Sequence, residues 1–121
     1  LQSEILFNSG SAEIGVKGKE RLTEISSLLQ SITNKIPNKI NWIIQVEGHT
    51  DNVPISTNEF PSNWELSVAR AIAVARIMID NGIEPNRINV AGYGEFRPLV
   101  ENKNEKNKNK NRRIELKLTQ P

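Results

Sequence analysis

Residues Gly48 to Ala71 read GHTDNVPISTNEFPSNWELSVARA, and this stretch decides how the chain is interpreted. Its first part ends an apolar segment in a turn that carries Asp51, and its last part begins an amphipathic helix that carries Arg70. A carboxylate and a guanidinium held on neighbouring rigid elements can bind the two ends of a zwitterion. No activated nucleophile accompanies them. The stretch therefore predicts a small binding module rather than an enzyme.

The composition predicts a single domain that covers residues 1–121. A chain of 121 residues can bury one hydrophobic core but not two. It contains no cysteine, which excludes disulfides and thiolate metal sites, and it has no apolar run of the roughly 18 residues that a membrane helix needs. Because the chain opens at Leu1 rather than at methionine, we expect it to be a fragment of a longer protein.

Positive charge is concentrated near the C-terminus. The net charge is only +2, yet residues 101–113 hold two acids, Glu101 and Glu105, and six cations, Lys103, Lys106, Lys108, Lys110, Arg112 and Arg113. A nucleic-acid site is one interpretation, but the segment has no aromatic residue on which a base could stack. Its Asn/Lys-rich sequence favours a mobile, solvated loop over residues 101–111, with at most a weak attraction to anionic polymers. We therefore expect no nucleic-acid partner.

Hydropathy patterns predict the element order β-α-β-α-β-β. The predicted helices run from Val16 to a stop at Pro37 and from Ser62 or Asn63 to about Asn81. The predicted strands are Ser3–Phe7, Asn41–Glu47, Arg87–Tyr93 and Arg113–Thr119. Two β-α-β crossovers require parallel strand pairs. The pattern predicts an α+β fold with a mixed parallel and antiparallel four-stranded sheet and helices packed on one face.

Five motifs along the chain resemble, in order, those of the C-terminal peptidoglycan-binding domain of OmpA-like proteins. They are Phe7–Glu13 (FNSGSAE), Gly48–Asp51 (GHTD), Asn63–Ala71 (NWELSVARA), Gly92–Pro98 (GYGEFRP) and Asn111–Glu115 (NRRIE). This domain is shared by OmpA-like outer-membrane proteins, peptidoglycan-associated lipoproteins and the flagellar stator protein MotB. The sequence SNWELS at residues 62–67, with the lengthened proline-bearing loop before it, resembles the MotB subgroup most.

Carried over by position, the resemblance implies ligand contacts at Asp51 and Arg70. Asp51 would pair with the free ammonium group of diaminopimelate in the peptidoglycan stem peptide, and Arg70 would bind its carboxylate. The remaining positions implied as ligand-binding residues are Thr50, Asn63, Leu66, Ser67, Arg112 and Arg113. Two of them also suit structural roles, since asparagine often caps a helix and Leu66 would fit in the core.

Two alternatives stay open at the level of the residues. Asp51 and Arg70 could form a salt bridge with each other, which on a protein surface is worth about 0–1 kcal/mol. Arg112 and Arg113 are neighbours on a predicted strand, so their side chains point to opposite faces and one of them at most faces the ligand. Arg112 is slightly preferred for that role.

The resemblance further implies a periplasmic domain that binds peptidoglycan without catalysis. Its parent would be anchored in the inner membrane, act as a homodimer and have a membrane stator partner. The alternative parent is an OmpA-like outer-membrane protein or lipoprotein that tethers the envelope to peptidoglycan. No cofactor or metal is expected, because His49 is the only histidine and no cluster of ligands is evident around it. The rival from another class is a wall-modifying enzyme, for which only Asp51 is suitably placed.

Overall fold

A computed structural model describes residues 1–121, in which helices alternate with the strands of one sheet. The helices are α1 (Ser3–Leu6), α2 (Val16–Thr33), α3 (Asn63–Asp80) and α4 (Glu105–Asn111), with a 3-10 helix at Pro85–Arg87. The strands are β1 (Ile43–His49), β2 (Ile88–Gly92) and β3 (Arg113–Thr119). None of the helices is both long and apolar enough to span a bilayer.

The three strands form a mixed sheet in the order β2-β1-β3. β1 and β2 are parallel, with Val46 beside Val90, and α3 is the crossover between them. β1 and β3 are antiparallel, with Val46 opposite Leu116. The predicted α+β class and the mixed parallel and antiparallel pairing are therefore confirmed.

Helices cover one face of this sheet. Side chains alternate across a strand, so Ile44 and Val46 of β1 and Ile114 of β3 share the face that packs against the helices. On α3 the buried positions recur every three or four residues: Asn63, Leu66, Ser67, Arg70, Ala71, Val74, Ala75 and Met78. Arg70 belongs to this buried set, so the packing of α3 onto the sheet also fixes the position of its guanidinium.

The sheet has three strands and not the four that the sequence predicts, because Ser3–Leu6 is a short helix. Only single bridges flank this helix, between Gln2 and Arg113 and between Phe7 and Ile14. The helical turn places Ser3 and Leu6 together on the buried side and leaves Ile5 exposed. A short apolar run of this length is compatible with either a strand or a helical turn, and here tertiary packing selects the helix.

The segment predicted as a mobile loop contains an ordered helix, α4. Asn104 caps it, since its Oδ1 accepts a hydrogen bond from the backbone N–H of Asn107 at 2.9 Å. Asn111 at its other end is fully buried. Its side chain accepts from the N–H groups of Leu99 and Val100 and donates to the carbonyl of Val100 at 2.8, 3.1 and 2.9 Å. Asn104 thus caps the helix and Asn111 anchors it, and the low-complexity sequence around them gives no sign of these roles.

Two paired glycines let α3 lie unusually close to the sheet. Gly48 of β1 and Gly92 of β2 are partners in the parallel register. A Cβ added to Gly48 would overlap the carbonyl oxygen of Ser67, and one added to Gly92 would lie 2.6 Å from the backbone nitrogen of Val68. Because both obstacles are helix backbone, neither can move without shifting α3. The glycines therefore set the depth at which the first turns of α3 sit.

Candidate functional site

A cleft of about 470 Å³ lies where the C-terminal end of β1 meets the first turns of α3. The loop after α1, the first residue of α4 and Arg112 just after that helix complete its walls. Six of the eight ligand-binding residues predicted from the sequence line it, and the charged lining residues are Glu4, Asp51, Arg70, Glu105 and Arg112. The structure thus brings most of the predicted site together in one concave surface.

Asp51 lies at the base of the cleft, directly after β1 and Thr50. The residue is only 6% exposed. Oδ1 accepts a hydrogen bond from the backbone N–H of Val53 at 3.0 Å, which fixes the turn. Oδ2 accepts a hydrogen bond from Nη1 of Arg112. The partner of Asp51 within the protein is therefore Arg112, and the direct Asp51–Arg70 salt bridge considered from the sequence does not form.

Arg70 is 5% exposed and has no carboxylate partner. Its Nε donates to the carbonyl of Ser11 at 2.8 Å and its Nη2 to the carbonyl of Asn8 at 3.1 Å. The guanidinium carbon lies 4.9 Å from the centre of the Phe7 ring. Its Nη1 has no hydrogen-bond partner in the protein. A guanidinium that is buried, oriented by backbone carbonyls and left without a counter-ion is prepared to bind an anion.

Burial lowers the pKa of Arg70, and the nearby positive charge of Arg112 lowers it further, while Asp51 acts in the opposite direction. Arginine has an ordinary pKa so high that the side chain stays charged at neutral pH. The lowered pKa therefore reflects the free-energy cost of burying this positive charge in the domain. A negatively charged ligand would relieve that cost.

Arg112 bridges the two acids of the cleft. Its Nη1 pairs with Asp51, and its Nη2 donates to Glu105 at 2.7 Å. Burial alone would lower the pKa of Arg112, but its hydrogen bonds to Glu105 and Asp51 outweigh that effect and raise the pKa. Arg112 is the residue after α4 rather than a strand residue, so the predicted alternation with Arg113 along a strand does not apply.

Three further predicted residues also line the cleft. Asn63 is the first residue of α3 and not its cap, because Ser62 occupies the cap position and accepts from the N–H of Trp64 at 3.2 Å. Asn63 instead donates to the carbonyl of Val53 at 3.1 Å and so fastens the loop to the helix. The side chain of Leu66 is both buried and part of the wall, and Thr50 donates to the carbonyl of Asp51 at 2.8 Å.

Ser67 and Arg113 do not line the cleft. The hydroxyl of Ser67 accepts a hydrogen bond from the N–H of Gly94 at 3.0 Å and so joins α3 to the turn after β2. Arg113 pairs with Glu115, with Nε 2.5 Å from Oε2, and donates to the carbonyls of Asn111 and Arg97. Both residues support the scaffold, so Arg112 is the arginine of the pair that faces the cleft.

Sequence reasoning missed two parts of the cleft. Glu105 lines its rim and pairs with Arg112, whereas the composition of residues 101–111 predicts a solvated loop. The carbonyls of Asn8 and Ser11 hold Arg70, whereas the sequence shows only the surrounding FNSGSAE motif. That motif was the available signal, since backbone atoms have no signature of their own in the sequence.

Comparison with known proteins agrees with this architecture. The family model described as "OmpA family" matches residues 6–112, which is most of the chain. The chain belongs to the OmpA family. Motility protein B of Bacillus subtilis is 38% identical over 96% of the chain, and the chain spans 42% of that relative. This OmpA-family domain thus corresponds to less than half of that longer protein.

Two solved structures show the same fold. The periplasmic domain of Helicobacter pylori MotB matches 99% of the chain and 79% of its own length, with 30% identity and a TM-score of 0.85. A protein described as the cell wall anchor of the T6SS from Pseudomonas aeruginosa matches 96% of the chain and 76% of its own length, with 31% identity and a TM-score of 0.83. The predicted OmpA-like, MotB-type fold is confirmed by these likenesses.

The face of the sheet opposite the helices carries a polar cluster in this OmpA-family domain. One potential ligand atom from each of Glu47, His49 and Glu115 lies within 4.8 Å of the others, a spacing that a metal ion could bridge. Both carboxylates already have cationic partners, since Lys117 Nζ lies 3.2 Å from Glu47 and Arg113 pairs with Glu115. The cluster is therefore best described as an ion-pair network around a buried imidazole.

Acidification is expected to destabilise the domain through His49. Burial and Arg113 lower the pKa of His49, despite the opposing effects of Glu47 and Glu115. The unfolded chain takes up a proton near the ordinary pKa of about 6.5, whereas the folded domain does so only at lower pH. The unfolded state therefore binds more protons, and the free energy of unfolding falls as the pH drops below about 6.5.

Urea unfolding at pH 7.0 and pH 5.5 measures this effect. The wild type should lose stability between the two pH values, and His49→Gln should lose clearly less. Carboxylates outside the cluster titrate alike in both proteins, so the difference between the two losses isolates the imidazole. An equal loss in both proteins would assign the pH dependence to other groups.

Proposed function

We propose that this domain binds the diaminopimelate-containing stem peptide of peptidoglycan without catalysis and so anchors its parent protein to the cell wall. The observation that carries the proposal is the buried, carboxylate-free guanidinium of Arg70 in the same cleft as Asp51. The likeness to the cell wall anchor of the T6SS and to MotB periplasmic domains supports it.

The chemistry of the cleft matches a zwitterion. The ligand carboxylate would lie against Nη1 of Arg70, which can extend the contact to a two-point fork where a lysine could not. The ligand ammonium would bind Asp51, whose carboxylate it would share with Arg112. Charge-assisted hydrogen bonds of this kind contribute about 1.5–3 kcal/mol each. Thr50, Asn63 and Leu66 form the remaining wall.

The proposal extends to the whole protein through its similarity to Motility protein B. In this extension the parent is anchored in the inner membrane, the domain lies in the periplasm, and a homodimer works with a membrane stator partner. The alternative parent is an outer-membrane protein or lipoprotein of the OmpA type. The full sequence of the parent protein separates these alternatives, since a transmembrane helix, a β-barrel and a lipobox differ clearly.

Sedimentation with purified sacculi tests the binding itself. Asp51→Asn keeps the shape of the side chain and its hydrogen bond from Val53 but removes the charge. It should lower the apparent affinity for sacculi, measured from the pelleted fraction, at least tenfold. Free diaminopimelate should compete with sacculi for the wild type, and a form acetylated on its amino groups should not. The control is Glu20→Gln, which also removes one negative charge but from an exposed position on α2, and this variant should pellet normally.

Two results would contradict the proposal. One is normal pelleting of a folded Asp51→Asn variant. The other is release of soluble muropeptides from sacculi by the wild type, which would indicate an enzyme.

A further inference from the structure

Three exposed lysines form a stripe on the segment that ends at the cleft. Lys106 and Lys110 are four residues apart on α4, so they lie on the same face of that helix, and Lys103 comes just before its cap. All three side chains are exposed, and none forms an ion pair. We call Lys103, Lys106 and Lys110 the lysine stripe.

The lysine stripe is held on an ordered support. Asn104 caps the start of α4, and the buried Asn111 fastens its end to Val100 by two hydrogen bonds. Arg112 then joins Glu105 to Asp51 across the cleft. A charged ligand that binds this stripe does not have to order the backbone, so less conformational entropy opposes binding than on a flexible loop.

The lysine stripe also lies beside the cleft. Glu105 lines the cleft and is adjacent in sequence to Lys106. A seven-residue helix is only about 10 Å long, so the whole stripe is within a short distance of the proposed peptide site. A ligand on the stripe and a ligand in the cleft could therefore belong to the same piece of wall.

We propose that the lysine stripe binds an anionic polymer with phosphodiester groups that is attached to peptidoglycan. This inference rests on the proposed function, because the cleft brings the stripe to the wall. The unpaired lysine charges complement the repeated phosphates of such a polymer.

Other polyanions fit the stripe less well. A membrane surface usually recruits a helix that has an apolar face as well as basic residues, and α4 contains no apolar residue. A single-stranded nucleic acid is normally bound by aromatic side chains that stack on its bases, and residues 101–113 contain none. The chemistry of the stripe is therefore that of a polymer recognised by phosphate charge alone.

Binding of defined poly(glycerol phosphate) to the domain tests this proposal. The triple variant Lys103→Gln/Lys106→Gln/Lys110→Gln should lose at least tenfold in affinity, and the wild-type affinity should fall as salt is added. The control triple variant Lys17→Gln/Lys19→Gln/Lys39→Gln removes the same charge from exposed positions elsewhere and should stay within twofold of the wild type. An equal loss in the control would show a general effect of net charge and would overturn the proposal.

Two further measurements complete the test. Sacculi stripped of phosphodiester polymers by hydrofluoric acid should bind the stripe variant as well as the wild type, whereas Asp51→Asn should no longer pellet with them. A single-stranded oligonucleotide that binds as tightly as poly(glycerol phosphate), with the same dependence on the stripe, would overturn the proposal in favour of nucleic acid. Normal pelleting of Asp51→Asn with the stripped sacculi, together with a polymer defect in the stripe variant, would refute the peptide site and leave the stripe standing.

Discussion

Replacing Arg70 by lysine is expected to weaken binding of the domain to purified sacculi at least tenfold, about 1.4 kcal/mol, while the domain stays folded. Lysine keeps the positive charge, but its single ammonium cannot reach the carbonyls of Asn8 and Ser11 and also present a fork to a ligand carboxylate. The loss should therefore come from geometry rather than from charge. Sedimentation with sacculi measures the affinity, and circular dichroism confirms folding.

Arg76→Lys supplies the matched control for this experiment. Arg76 lies on the same helix but is exposed and does not line the cleft, so its replacement should leave binding within twofold of the wild type. If Arg70→Lys binds sacculi as well as the wild type, charge alone suffices and the oriented guanidinium has no special role. A variant Arg70→Met should bind even less, since it removes the charge as well.

Replacing Gly48 by alanine is expected to destabilise the domain by about 3 kcal/mol and to weaken sacculus binding as well. The new Cβ would overlap the backbone carbonyl of Ser67, so β1 and α3 must separate. Arg70 lies one turn beyond Ser67, and a shift of the helix moves its guanidinium away from the carbonyls that orient it. Urea unfolding gives the stability change, and sedimentation with sacculi gives the binding change.

Gly15→Ala is the control for that substitution. A Cβ on Gly15 meets no atom within 4 Å, and Gly15 has a negative φ that any residue adopts. Its replacement should cost no more than about 1 kcal/mol, the usual cost of alanine at a helix cap. A Gly48→Ala domain that is as stable as the Gly15→Ala domain would show that α3 can move away from the sheet at little cost.

The elements that the sequence predicted best are those whose periodicity is long or strict. β3 was predicted at its observed bounds, Arg113–Thr119, because Ile114, Leu116 and Leu118 alternate without interruption. α3 was predicted to within one residue at each end, since Ser62 supplies a cap and Gly82 adopts a left-handed φ of 104° just beyond the end. β1 was displaced by two residues, because strand ends have weaker signals than helix caps.

Errors arose where tertiary contacts decide the local structure. Ser3–Leu6 forms a helical turn that places Leu6 in the core, and a segment of four residues is too short for its periodicity to reveal this. α4 looked disordered by composition, although the two asparagines that fix it, Asn104 and Asn111, are polar like their neighbours. The partner of Asp51 was missed for the same reason, since the bridge from Arg112 depends on where α4 ends.

The support beneath Arg70 has a consequence for how this site can vary. Its two protein acceptors are main-chain oxygens of Asn8 and Ser11, which every amino acid supplies equally. Apart from Gly10, whose φ of 68° favours glycine, residues of this loop can therefore be exchanged without altering the charge that Arg70 meets, whereas adding or deleting one residue would displace both oxygens. Loop length, more than loop composition, is the property that a redesign of this domain has to keep.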